Sequence, residues 1–238
     1  AMLPGGRVTA DLLTADSVGD QTLTTTINSA DLSVSATGGI AVNESDAITL
    51  LDVDTANGPI AVFAGGTITA ADVRSLTDND ANDIALTANG GGDIVLGIVN
   101  ARDAGDVTLN AGGAISTAPG GLVTADVLTA DAVAGMAIAS AVASADLTVS
   151  GTGDMSIDET DSIVLSDVDT ADGSIAVTAG SNILVDDVNA AGGADDVTLA
   201  AGGTIERIAD GNADIVADGL AMTAGTDIGA AAPLMVLV

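Results

Sequence analysis

The chain has 238 residues, and its 34 Asp and Glu against four Lys and Arg give a formal net charge of −30. Histidine, cysteine, tryptophan and tyrosine are absent and Phe63 is the only aromatic residue, yet 47% of the residues are hydrophobic. The hydrophobic content argues against disorder, and the shortage of cations and aromatic rings argues against a nucleic-acid partner. No apolar run approaches the ~18 residues of a membrane span, so no membrane-spanning segment is expected.

Along the chain, one short phrase recurs: apolar and variable residues in alternation, a small residue, a Gly- or Thr-containing corner, and then an apolar residue, usually Ile. Copies begin at Leu32, Ile60, Ile84, Val107, Leu147, Ile175, Val197 and Leu220, and the copy at Ile84 carries two extra residues. The alternation predicts short β-strands whose successive side chains point to opposite faces. Glycine fits the corners because it lacks a Cβ.

A longer repeat lies on top of the short one. The stretch GRVTADLLTADSV from Gly6 recurs as GLVTADVLTADAV from Gly121, which is 115 residues later. The same offset places NESDAITLLDVDTANGPIAV from Asn43 onto DETDSIVLSDVDTADGSIAV from Asp158. We therefore expect two super-repeats, residues 1–120 and 121–238, within one continuous solenoid.

The repeats predict an all-β fold, a parallel β-solenoid (β-helix) of about ten turns with 20–28 residues per turn. A sandwich or barrel also has short strands at regular spacing, but near-identical phrasing favours a solenoid because each of its turns meets the same environment. We expect ladders of Ile, Val, Leu and Ala inside, with Phe63 on the outer face or near a corner. Most Asp residues are expected at bends, where they would bond their own backbone.

The phrases GDVTLNAGGAIS, GSIAVTAGSNI and DDVTLAAGGTIE resemble the repeats of filamentous-haemagglutinin-type adhesins. The resemblance covers residues 32–228. It implies a secreted bacterial surface protein whose chain folds as a right-handed parallel β-helix. The chain departs from that family in lacking Lys and in being far more acidic, which does not suit adhesion to heparin or to a host receptor.

Calcium is the one cofactor that the residues suggest, because Ca²⁺ takes six to eight oxygen ligands. The two equivalent acidic stretches supply the candidate ligands, which are Glu44, Asp46, Asp52, Asp54, Glu159, Asp161, Asp167 and Asp169. Their spacing is not that of an EF-hand, and an acidic turn without an ion is the alternative interpretation. No catalytic residues are predicted, since an enzyme would have to work without His, Cys, Lys or Tyr.

The function expected from these features is mechanical. The chain is predicted to be a structural subunit or segment of an extracellular bacterial filament, adhesin stalk or matrix fibre. Its partner would be itself, through end-to-end stacking or continuation in a longer repeat chain. The alternative is a cell-surface adhesin whose lateral face binds a ligand in a calcium-dependent manner.

Overall fold

The protein is an all-β parallel solenoid of about 11 turns in a computed structural model that describes residues 6–190, 192–208 and 214–238. These residues contain 21 strands and no helix. The strands are β1 (Val8–Ser17), β2 (Gln21–Thr37), β3 (Ile40–Glu44), β4 (Ile48–Asn57), β5 (Ile60–Ala64), β6 (Ile68–Ser75), β7 (Ile84–Ala88), β8 (Ile94–Asn100), β9 (Val107–Ala111), β10 (Ile115–Ala132), β11 (Met136–Thr152), β12 (Met155–Glu159), β13 (Ile163–Asp172), β14 (Ile175–Ala179), β15 (Ile183–Val185), β16 (Val188–Ala190), β17 (Asp196–Ala201), β18 (Ile205–Arg207), β19 (Ile215–Val216), β20 (Gly219–Ala224) and β21 (Val236–Leu237). The predicted fold class is confirmed.

In much of the chain a turn, or rung, contributes a five-residue strand and a longer strand that bends, whereas β2 and β11 each run through both positions and pair with both kinds of strand. The five-residue strands pair with one another in parallel and form what we call the A stack, for example β3, β5, β7 and β9. The longer strands form the B stack, for example β4, β6 and β8. In part of the chain the bend divides the B strand in two, as in β15 and β16, which both pair with β13.

The core consists of like residues in register. In the A stack Ile40 lies beside Ile60, and Ile60 lies beside Ile84. In the B stack Ile48 lies beside Ile68, which lies beside Ile94. These side chains are at most 2% exposed, so the predicted aliphatic ladders are present and each rung buries the apolar face of the next.

The chain divides into two compact units, of which the first ends at Asp126 and the second begins at Val127, within β10. Unit 1 contains the A-stack strands β3, β5, β7 and β9. Unit 2 contains β12, β14, β17 and β20, which pair in the same parallel manner.

Two of the eight predicted copies of the phrase belong to a different stack from the others. Leu32 pairs with Val53 and Leu147 pairs with Val168, so both lie in the B stack. The A-stack strands that follow these two copies begin at Ile40 and Met155. The corners after those strands lack the Gly that marks the other copies.

Glycine is required where corners of successive rungs touch. A Cβ on Gly58 would lie 2.1 Å from the backbone oxygen of Gly38, and a Cβ on Gly173 would lie 2.1 Å from that of Gly153. Real Cβ atoms are essentially never found at such distances. The backbones of successive corners therefore pack so closely that no side chain fits at these two positions.

Candidate functional site

The two predicted calcium ligands Glu44 and Glu159 lie inside the corner at the end of an A strand. Both side chains are almost completely buried, with 1% and 2% exposure. The rungs that follow carry Ala at the same positions, Ala64 and Ala179. The Glu side chain thus occupies space that other rungs leave to a methyl group.

The buried carboxylate of Glu44 closes its corner by accepting backbone N–H groups. The N–H of Ser45 donates to Oε1 at 2.7 Å, and the N–H of Ile27 on the preceding rung donates to Oε2 at 3.0 Å. Burial raises the pKa of Glu44, but hydrogen bonds from Thr25, Asp46 and the backbone outweigh burial and lower the pKa overall. The hydrogen bond to Glu44 raises the pKa of Asp46. These oxygens are engaged in holding the corner.

Glu159 repeats this arrangement in unit 2. The hydroxyl of Ser140 donates to its Oε2 at 2.7 Å, and the N–H of Val142 donates to the same oxygen at 3.2 Å. The N–H of Asp161 donates to Oε1 at 3.3 Å. Burial raises the pKa of Glu159, and these hydrogen bonds oppose the rise without reversing it.

Asp46 and Asp161 lie at the same corners as Glu44 and Glu159, whereas the remaining four predicted ligands belong to a separate feature at the bend of the B strands. We call it the acidic ladder, and it consists of Asp16, Asp31, Asp52, Asp54 and Asp72 in unit 1 and of Asp131, Asp146, Asp167, Asp169 and Asp187 in unit 2. Asp31 lies in register with Asp52, and Asp146 lies in register with Asp167. The backbones of these paired aspartates thus lie about 4.8 Å apart, the spacing of neighbouring strands.

The two ladders differ in the residue beside the half-buried aspartate. Arg74 lies in register with Asp54 and pairs with Asp72 through two hydrogen bonds, one of 2.8 Å to Oδ2. In unit 2 the residue in register with Asp169 is Asn189, which carries no charge. The first ladder therefore contains a cation that the second lacks.

Crowding of carboxylates changes their acidity. Burial, followed by the charges of Asp167 and Asp187, raises the pKa of Asp169 to about 6. Burial and the charge of Asp52 also raise the pKa of Asp54. The Oδ1 atoms of Asp169 and Asn189 are shielded from solvent and have no hydrogen-bond donor in the described part of the chain.

The structure does not bring the predicted calcium ligands into one cluster in either unit. Asp46 at the corner and Asp52 at the bend are separated by the first half of β4, a path of roughly 15–20 Å at the rise of an extended strand. No group of three or more acidic side chains within the described ranges is arranged to hold a metal ion. Calcium binding stays a prediction. The Glu corners and the acidic ladder lie in different surroundings.

Sequence reasoning missed a third set of polar residues, which connect rungs at the corner before a strand. In each case a side-chain oxygen accepts the N–H of a residue on the next rung, at 2.8–3.0 Å. The pairs are Asp20 with Gly39, Asp83 with Asp106, Asp93 with Ala114, Asp154 with Ser174, and Asn182 with Thr204. These aspartates were expected to bond their own backbone; they bond the neighbouring rung instead. The available signal was an Asp or Asn directly before the first residue of a strand.

The outer face of the A stack in unit 1 carries a shallow groove of about 380 Å³. Phe63 lies in it and is 46% exposed, as the prediction of an outer-face position required. Its lining contains no charged residue and consists of Thr22, Leu23, Thr24, Ala41, Val42, Asn43, Ala61, Val62, Phe63, Ala85 and Thr87. This face differs from the acidic bend of the B strands.

No protein-family model matches the chain, and neither a curated protein nor a solved structure matches it. Nothing that could cross a membrane as a helix occurs in the part of the chain that the structure describes. The candidate sites therefore rest on their own geometry.

Proposed function

We propose that this chain is a rod-forming part of an extracellular bacterial filament, adhesin stalk or matrix fibre. Its rungs would stack on further rungs, supplied by another copy or by more repeats of the same polypeptide. The observation that carries the proposal is the in-register parallel pairing of like residues from rung to rung, as in Ile40, Ile60 and Ile84. Such pairing lets any rung accept the next one with unchanged contacts.

The first and last rungs of the described residues support rung-on-rung addition. Among them, β1 pairs only with β2, and β20 pairs only with β17. Leu220 and Met222 of β20 are half-buried, whereas their partners Val197 and Leu199 are fully buried. A further rung would bury this apolar surface and satisfy the free strand edge.

The charge distribution suits a fibre that grows along its axis. Like charges on the acidic bends repel copies that approach side by side, whereas the edges of β1 and β20 present backbone groups and aliphatic side chains. Salt or divalent cations would weaken the lateral repulsion.

Negative-stain electron microscopy of the purified chain over a range of concentrations tests the proposal. Long thin fibres of constant width are expected for a self-stacking subunit, and short rods for a segment of a longer repeat array. Replacing Met222 by Asp places a charge on the stacking surface and is expected to shorten the fibres, whereas Thr223→Asp on the outer face is the matched control. Round particles or amorphous aggregates would contradict a rod.

The alternative is a surface adhesin that binds a ligand through its lateral face, and the groove around Phe63 is the observation that favours it. An uncharged groove with one exposed aromatic ring suits a neutral ligand, because ring faces pack well on apolar surfaces. Binding that is lost in Phe63→Ala and kept in Leu51→Ala, a change at another exposed apolar residue, would favour the adhesin. Equal binding by both variants would count against the groove.

We assign the proposed calcium dependence to Asp167 and Asp169 in unit 2. There the Oδ1 atoms of Asp169 and Asn189 lack donors, while in unit 1 Arg74 already pairs with Asp72 of the equivalent ladder. Calcium is expected to raise the melting temperature of the parent chain, and EDTA to reverse the rise. An Asn189→Arg variant should lose the response, whereas an unchanged melt of the parent chain would remove calcium from the proposal.

A further inference from the structure

The copy of the repeat with two extra residues forms an exposed tight turn between β7 and β8. Five residues, Asn89 to Asp93, connect these strands, whereas three residues connect β5 to β6 and β9 to β10. The N–H of Gly92 donates to the carbonyl oxygen of Asn89 at 2.9 Å. The two central residues, Gly90 and Gly91, have φ of 62° and 79°, which glycine adopts easily. The insertion therefore places an Asn-Gly bond in an exposed turn.

The reacting groups of this Asn-Gly bond are unengaged. Within the described residues, neither the side chain of Asn89 nor the N–H of Gly90 has a hydrogen-bond partner. Asn89 and Gly90 are both exposed. Because Gly90 has no Cβ, its backbone nitrogen can approach the Asn89 side-chain carbonyl without steric hindrance.

A second Asn-Gly bond, Asn57–Gly58, lies in the opposite environment. The Oδ1 of Asn57 accepts the Nδ2 group of Asn82 at 3.0 Å, and its backbone oxygen accepts the N–H of Gly38 at 3.0 Å. Gly58 is buried, and the space beside its Cα is taken by the oxygen of Gly38. The side chain and the backbone are both held, so the same dipeptide cannot rearrange without opening the corner.

We propose that Asn89 is a site of spontaneous deamidation, with water as the only co-reactant, and that Asn57 is protected by the fold. The nitrogen of Gly90 attacks Cγ of Asn89 and forms a C–N bond. The side-chain nitrogen leaves as ammonia and carries away the proton from the Gly90 nitrogen. Water then opens the resulting succinimide at either carbonyl, giving aspartate or isoaspartate without any oxidation or reduction.

The product changes the surface and the stacking of the turn. Each event adds a carboxylate, and the isoaspartate form also adds one carbon to the backbone path. The neighbouring corners leave little room for that carbon, because a Cβ on Gly90 would lie 2.8 Å from the oxygen of Gly65. A Cβ on Gly112 of the following corner would lie 2.8 Å from the nitrogen of Gly91. Deamidation is therefore expected to loosen this corner selectively.

Incubation of the folded protein at mildly alkaline pH, followed by peptide mapping and enzymatic isoaspartate labelling, tests the proposal. Conversion is expected at Asn89, with release of ammonia, at a rate at least about tenfold above that at Asn57, because reaction there requires local opening. In urea the two rates should converge, which shows that the fold and not the dipeptide sets the difference.

The variant Asn89→Gln is the control. It keeps an amide but would need a larger ring to react, so ammonia release and isoaspartate should fall to the level given by the rest of the chain. Equal rates at Asn57 and Asn89 in the folded protein would overturn the proposal. It would also be overturned if Asn89 stayed intact in the folded chain while it converted in urea.

Discussion

Replacing Gly173 by Ala tests whether rungs touch through backbone at their corners. A Cβ at this position would lie 2.1 Å from the oxygen of Gly153 and 2.5 Å from its carbonyl carbon. Restoring a contact of 3.4 Å requires about 1.3 Å of movement, more than a quarter of the ~4.8 Å between rungs. Overpacking of this kind costs about 3 kcal/mol, the upper end of the usual range.

A smaller effect opposes this cost. Alanine restricts the unfolded chain more than glycine does, which returns about 0.4–1 kcal/mol. The net loss in the free energy of unfolding is therefore about 2–3 kcal/mol, or roughly 5–10 °C in melting temperature for a chain of this size. Gly58→Ala should behave alike, because its distances to Gly38 match those of Gly173 to Gly153.

Calorimetric melting of the parent chain and the variants measures this prediction. The matched control is Gly19→Ala, since a Cβ there would have nothing within 4 Å, and its melting temperature should stay equal to or slightly above that of the parent. If Gly173→Ala melted with the parent, or if Gly19→Ala lost as much stability, the close approach of corners would be refuted.

Three further changes test the core, the corner and the acidic ladder. Leu50→Ala should lower the free energy of unfolding by about 2–5 kcal/mol through a buried cavity, whereas its exposed neighbour Leu51→Ala should change it by less than about 0.5 kcal/mol; equal losses in urea titration would contradict the assigned faces. Glu159→Ala should cost about 2–3 kcal/mol, because it removes the acceptor of buried donors, and a neutral result would show that the corner closes without the carboxylate. The pKa of Asp169 is raised to about 6 in the folded chain, so the folded state favours its protonated form. The contribution of Asp169 to the free energy of unfolding is therefore fully present below its ordinary pKa of ~3.9 and is lost as pH rises through about 6. Partial exposure reduces the full ~3 kcal/mol to roughly 1–2 kcal/mol; Asn189→Arg should flatten this pH dependence, and a parent melt that is flat between pH 4 and pH 7 would contradict it.

The fold was predictable because each rung repeats the same physical solution. Alternation at Ile60 and Val62 gives the strand, glycine gives the corner, and repetition places like residues above one another. The sandwich alternative failed for the reason anticipated, since Ile60 and Ile84 share one environment and one column. The sequence did not separate the copy at Leu32 from the A-stack copies, because both stacks alternate in the same way and only strand pairing distinguishes them.

The candidate sites were predictable in composition but not in arrangement. Glu44 was recognised as unusual, yet its oxygens serve backbone N–H groups because its carboxylate is buried, which the sequence could not show. Asp54 and Asp169 are equivalent in sequence and differ through their partners in register, Arg74 and Asn189. Both pairs join residues 20 positions apart, a separation that the sequence does not single out because rung length varies elsewhere along the chain.

Disulfide cross-linking tests the parallel register most directly, since the chain has no cysteine of its own. Thr49, Thr69 and Val95 form one column on successive rungs of the B stack. Cysteine pairs at 49 and 69, and at 69 and 95, should oxidise to disulfides, because neighbouring rungs place their Cα atoms about 4.8 Å apart. The pair at 49 and 95 spans two rungs, about 10 Å, and should stay reduced. Efficient cross-linking of 49 to 95, or none between 49 and 69, would contradict the parallel solenoid.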